Sequence, residues 1–204
     1  MIDTRFNFPA SDPDRFAAAL RCFDEENARD PNLEIADGVS HPRELLYARR
    51  LTDWVLRLCP NAEEPLRLAA RCQHLCRWII PRASYDLTRA GYLKWRTDLK
   101  KFHAEKASVI LRKVGYGDDV IAQVQALNLK QNFPADPDSR VLEDALCLIF
   151  LEFQFAELAA KTTEDKMINV LKKSWQKMTP QAHEQALLLP FGPLEQALIK
   201  QALA

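Results

Sequence analysis

The sequence predicts an all-α fold, and three observations carry that prediction. Apolar residues recur at helical spacing along most of the chain. Prolines stand where first helical turns begin, as in Asp12-Pro13, Asp136-Pro137 and Thr179-Pro180. Five glycines in 204 residues supply few of the turns that a strand-rich fold needs. One helical domain over 1–204 is expected, with about eight or nine helices, a core over 13–160 and a helical extension over 161–204.

The elements follow in order. Pro13 opens a helix that runs to about Ala28. ARDPNLEIADGVS reads as a loop broken by Pro31 and Gly38. Ser40 or His41 is placed to cap the next helix, whose inner stripe is Leu45, Ala48, Leu51, Val55 and Leu58. A third helix is expected from Glu63 to about Arg77, stopped before Pro81. Ala90 to Val114 reads as a long amphipathic helix with Leu99, His103, Ala107 and Ile110 on one face, closed by Gly115. Asp118 to Leu127 is a short helix, and NLKQNFPADPDS a loop. Val141 to Ala160, apolar almost all round, is the expected central helix. Thr162/Thr163-Glu164, Thr179-Pro180 and the residues after Pro193 open the last three. No convincing strand and no internal repeat is found.

Bulk composition narrows the function classes. Lys+Arg and Asp+Glu are equal at 28 each, so net charge predicts no attraction to nucleic acid or membrane, although a local basic patch leaves nucleic acid open. The apolar run Leu142–Phe155 contains Glu152 and is too short to span a bilayer. Five cysteines inside helical patterns read as reduced thiols, and no signal peptide is evident; a cytoplasmic protein is expected.

One constellation has the means to carry chemistry. His103 falls on an inward stripe, where a buried imidazole costs energy unless it is bonded. Asp144 aligns with Val141, Leu148 and Leu151, so it must meet a cation, a donor cluster or a metal. His41 lies near a helix start and His74 on a face with Trp78. Each has a plain structural alternative: His41 as a cap, His74 packed on Trp78, His103 as a satisfied core residue. Taken together, His41, His74, His103 and Asp144 suit one iron, manganese or zinc ion. Glu44, one turn beyond His41, and Glu143 are the candidate catalytic carboxylates beside it.

With those residues named, the chain resembles the HD-domain superfamily of helical metal-dependent proteins. His41 matches that superfamily's first His, the segment Ala69 to His74 the approach to its His-Asp pair, and Asp144 its late Asp. The pair here reads Gln73-His74, so either His74 takes the place of the Asp or the site has changed. The whole chain more closely resembles the DUF4202 family. The resemblance rests on HPRELLYARR (His41–Arg50), RCQHLCRW (Arg71–Trp78), PRASYDLTRAGYLKWR (Pro81–Arg96), FHAEKA (Phe102–Ala107), the stretch Asn128–Phe155 and DKMINVLKKSW (Asp165–Trp175). It implies an HD-like helical bundle and leaves the activity open.

Between His74 and His103, Arg77, Arg82, Arg89 and Lys94 interleave with Trp78, Tyr92 and Trp95. Such a run suits an anionic ligand with a flat part, or else forms a solvated helix face. Asn128, Lys130 and Asn132 make a second polar set before the Asp144 helix. Three functions are therefore expected in turn. The first is a metal-dependent hydrolase acting on a phosphorylated or nucleotide-like small molecule. The second is a non-catalytic helical module binding an anionic ligand, RNA or protein. The third is a di-iron oxygenase.

Overall fold

A computed structural model describes residues 11–203. Ten α-helices and one two-stranded hairpin make up the regular structure of those residues, one helix more than the upper expectation. In order they are α1 (Pro13–Asn27), β1 (Leu33–Ala36), β2 (Val39–Pro42), α2 (Arg43–Leu58), α3 (Glu64–Cys72), α4 (Arg89–Lys113), α5 (Asp118–Leu129), α6 (Pro137–Ile149), α7 (Phe155–Ala160), α8 (Glu164–Trp175), α9 (Pro180–Leu187) and α10 (Pro193–Leu203).

The helix starts are chemically explicit. Asp12 accepts from Arg15 N at 3.0 Å, Thr88 from Gly91 N at 3.1 Å and Asp136 from Ser139 N at 2.7 Å, each satisfying an amide that has no partner inside its helix. The start of α2 is capped differently from the expectation. Ser40 and His41 lie in β2, and Asp30 Oδ2 accepts from Glu44 N at 3.0 Å in their place. Asp30 does this from 14 residues upstream, so the cap also ties the end of α1 to α2.

The expected loop over residues 28–40 holds most of a hairpin that ends at Pro42. Its two-residue turn is Asp37-Gly38, with φ of 52° and 75°, closed by the pair Ala36 and Val39. An Asp-Gly turn with both φ positive matches the right-handed twist of the strands it joins. No sheet of three or more strands occurs among the described residues.

Two helices are shorter than expected. The third stops at Cys72, and the chain bends through Cys76, whose φ of 55° is left-handed. Buried Asn27 braces that bend: its Oδ1 accepts from Cys76 N at 2.9 Å and its Nδ2 reaches Glu44 O at 3.4 Å. The expected central helix Val141–Ala160 is broken by one π turn over Phe150–Gln154, which separates α6 from α7. Trp54 Nε1 donates to Glu152 in that turn at 2.7 Å and fixes it against α2.

The core is continuous. Phe23 of α1, Leu51 and Val55 of α2, Leu66 and Leu68 of α3, Leu111 of α4 and Leu142, Leu148 and Phe155 of α6–α7 are essentially solvent-free within it. Each such side chain contributes on the order of 1.5–3 kcal/mol by leaving water. Leu198 and Ala202 of α10 belong to the same core.

Candidate active site

The N-terminal half of α2 presents Arg43, Glu44, Tyr47 and Arg50 along one side, as helical spacing dictates. Opposite them lies the π turn, with Phe150, Phe153 and Gln154. The bend after α3 supplies His74 and Arg77, β1 supplies Glu34, and Lys161 follows α7. These residues enclose a cleft of about 560 Å³. That volume lies within the range of small-molecule sites. A π turn re-aims side chains that a regular helix would direct elsewhere, and such turns recur at functional sites.

Glu44 and His74 form the floor. The Glu44 carboxyl is 7% exposed, and its Oε2 lies 3.3 Å from His74 Nδ1 without making a hydrogen bond. Burial pushes the Glu44 carboxyl up to about 7, partly opposed by the Arg77 guanidinium, whose Nε is 3.8 Å from Oε1. His74 stacks on Tyr47, with ring centroids 4.1 Å apart and planes 12° from parallel. Arg77 Nη1 stands 3.2 Å from His74 Nε2. A guanidinium can only donate, so Nε2 accepts and the ring proton belongs on Nδ1, facing Glu44. Burial, and then the charges of Arg77, Lys130 and Arg96, hold the imidazole well below its ordinary pKa.

Behind His74, at a centroid distance of 5.9 Å, lies His103. Its Nδ1 is 2.8 Å from Leu75 O, so the proton sits on Nδ1 and donates to that carbonyl. Its Nε2 is buried and makes no hydrogen bond. Burial lowers His103 to about 3, so the ring is neutral at ordinary pH.

The rim is cationic and aromatic. The Arg50 guanidinium lies 3.8 Å above the Phe153 ring and is paired with Glu34. Arg43 Nε is 3.8 Å from the other oxygen of Glu34. Arg77 reaches over Trp95 at 5.0 Å. Arg43, Arg50, Arg77 and Lys161 face Glu34, Glu157 and the Glu44 carboxyl, which carries only part of a charge near neutral pH. The lining is thus positive on balance.

The expected constellation comes together only in part. Glu44, His74, His103 and Arg77 converge. Asp144 is turned away to α9: its oxygens accept from Thr179 N at 2.9 Å and Thr179 Oγ1 at 2.6 Å. His41 stands on β2 paired with Glu34 and is not among the residues that line the cleft. Glu143 is held by Lys130 and Lys177. Among the described residues, no three His, Cys, Asp or Glu side chains group to hold a metal ion. The four residues expected as ligands therefore do not meet around one shared ion: both Asp144 oxygens are bonded to Thr179, and His41 is not among the residues lining the cleft. No step through a metal follows from this arrangement.

The expected anion set also divides. Arg77 lines the cleft, but Arg82 donates to the carbonyls of Tyr85 and Asp86 at 2.9 and 2.6 Å. Lys94 pairs with Asp98 at 2.6 Å on an exposed helix face, and Arg89 is exposed at the first position of α4. The arginines that do line the cleft, Arg43 and Arg50, lie in HPRELLYARR, seven residues apart and so on one helix face. That spacing was a usable signal. Phe153 and Gln154 had none, because their direction depends on the π turn.

The family model described as Domain of unknown function (DUF4202) matches residues 17–199. No curated protein and no solved structure matches the chain. No helix among the described residues is long and apolar enough to cross a membrane.

Proposed function

The chain belongs to the DUF4202 family, and we propose that its cleft binds a small phosphorylated or nucleotide-like molecule and hydrolyses it. The observation that carries this reading is the Glu44 carboxyl, raised by burial to about 7 and set beside His74 beneath a rim of guanidinium groups. A carboxyl tuned to near neutrality in a cleft is suited to moving a proton in both directions.

The roles follow from position. Arg50 and Arg43 give planar donors to phosphate oxygens, and their partner Glu34 yields them when a stronger anion arrives. Phe153 and Tyr47 offer ring faces to a flat or apolar part of the ligand. Ionised Glu44 takes a proton from a water held over the floor, and the oxygen of that water attacks the phosphorus as the ester oxygen leaves. Protonated Glu44 then returns the proton to the leaving oxygen. His74, kept neutral with its proton on Nδ1, sits beside the Glu44 carboxyl and keeps the floor free of a second full charge.

The test is phosphate release from a panel of phosphorylated small molecules, with Glu44→Gln and Arg50→Ala beside the unaltered protein. Glu44→Gln is expected to lower kcat by about 100-fold or more while leaving KM within a few-fold. Arg50→Ala is expected mainly to raise KM, by about tenfold, through the loss of a charged hydrogen bond. The rate of the unaltered protein should rise with pH through about 7, because the base must be ionised. Ligand binding without turnover of any compound would instead establish the cleft as a binding site alone.

A further inference from the structure

One carboxylate spans the two rim arginines of the cleft. Glu34 Oε1 is paired with Arg50 Nη1, and Glu34 Oε2 lies 3.8 Å from Arg43 Nε. Arg43 and Arg50 stand two turns apart on one face of α2. Glu34 lines the same cleft and turns one oxygen to each of them, as a phosphate shared by both guanidinium groups would. The segment that carries Glu34 is only lightly attached. The hairpin β1–β2 places no side chain in the core, and its Leu33, Ile35 and Val39 are exposed. Its order comes from its own ladder, its Asp37-Gly38 turn and the backbone bond from Arg43 N to Asn32 O at 2.9 Å. The Glu34 side chain can therefore swing out to water without disturbing the core.

We propose that Glu34 is an internal stand-in for the ligand's phosphate, and that it makes the cleft a site for phosphomonoesters, whose terminal phosphate displaces it, and not for phosphodiesters. This rests on the reading of the cleft as a phosphate site given above. The argument is one of charge exchanged between the two arginines. A phosphodiester carries a single negative charge, so it replaces the Glu34 carboxylate with its like and gains nothing. A phosphomonoester carries about −1.5 to −2 near pH 7 and offers three acceptor oxygens, so it gains both charge and hydrogen bonds. The cost of displacing Glu34 falls equally on every ligand. Glu34 therefore leaves the ratio of affinities unchanged and lowers all of them, so that only the more highly charged ester still binds well.

The experiment is calorimetric titration of phenyl phosphate and of methyl phenyl phosphate into the full chain carrying Glu44→Gln, which slows turnover of the bound ester. It is run at about pH 8, where the monoester is doubly ionised. That protein is expected to bind phenyl phosphate, and methyl phenyl phosphate at least about tenfold more weakly. Adding Glu34→Gln should tighten the binding of both esters by about tenfold and to the same degree. Unchanged or weaker binding in the Glu34→Gln protein overturns the proposal, because Glu34 then positions the arginines and does not occupy the ligand's place. Equal affinity of the parent for the two esters overturns the assignment to phosphomonoesters. Failure of both proteins to bind either ester up to millimolar concentration would end the reading of the cleft as a phosphate site, and the proposal with it. Tightening by Glu34→Gln, with no phosphate release by the unaltered protein, would uphold the proposal and end the hydrolytic reading alone.

Discussion

At the scale of single residues, the buried polar groups show both the reach and the limit of reasoning from sequence. A carboxylate on an apolar helix must be partnered, and Asp144, 3% exposed, is partnered twice. The partner is the backbone and hydroxyl of Thr179, which no local pattern near Asp144 announces. His103 is likewise bonded, to the carbonyl of Leu75, 28 residues away. The need for a partner was legible in the helical stripe; the partner's identity depended on contacts distant in sequence. Asp144→Ala is accordingly expected to lower stability by about 1–3 kcal/mol, since Thr179 loses two acceptors at the start of α9. Urea unfolding measures that loss. Phosphate release by the folded variant should match that of the unaltered protein within about twofold; a folded variant without activity would return Asp144 to the site.

At the scale of elements, helix identity was legible almost throughout because capping residues and apolar periodicity agree. The starts at Pro13, Pro137, Glu164, Pro180 and Pro193 stand where the signals place them. The hairpin was missed although Asp37-Gly38, between Leu33-Ile35 and Val39, carries a turn signature. Its strands are four residues each, with Leu33 62% and Ile35 76% exposed, so no buried alternation marked them. The break of α6 into the π turn has no proline or glycine to betray it. The hairpin matters because it holds Glu34 against Arg43 and Arg50. At Gly38, with φ of 75°, a side chain meets no atom but strains the backbone. Gly38→Ala is therefore expected to cost about 1 kcal/mol. Hydrogen exchange at Ala36 and Val39, the pair that closes the turn, should accelerate by about fivefold, the equivalent of that cost. Unchanged exchange would mean that the turn does not secure the hairpin.

At the scale of the whole molecule, equal numbers of cations and anions conceal an uneven arrangement. The chain folds so that α2, β1, the bend after α3 and the π turn set positive charge around a nearly neutral carboxyl. The net charge, read alone, left a local basic patch open without placing one, and the folded arrangement supplies it. Low-dielectric walls make those charges act more strongly than they do in water. The central claim is that Glu44 is a proton-handling group and not one more structural carboxylate. Carbon-13 NMR of labelled glutamate tests it most directly, with Glu44→Gln identifying the signal. The Glu44 side-chain carbon is expected to titrate with a midpoint of about 7, and an anion bound in the cleft should shift that midpoint further upward, since like charge disfavours ionisation. A midpoint of about 4.5, the ordinary carboxylate value, unmoved by phosphorylated ligands, would contradict the account.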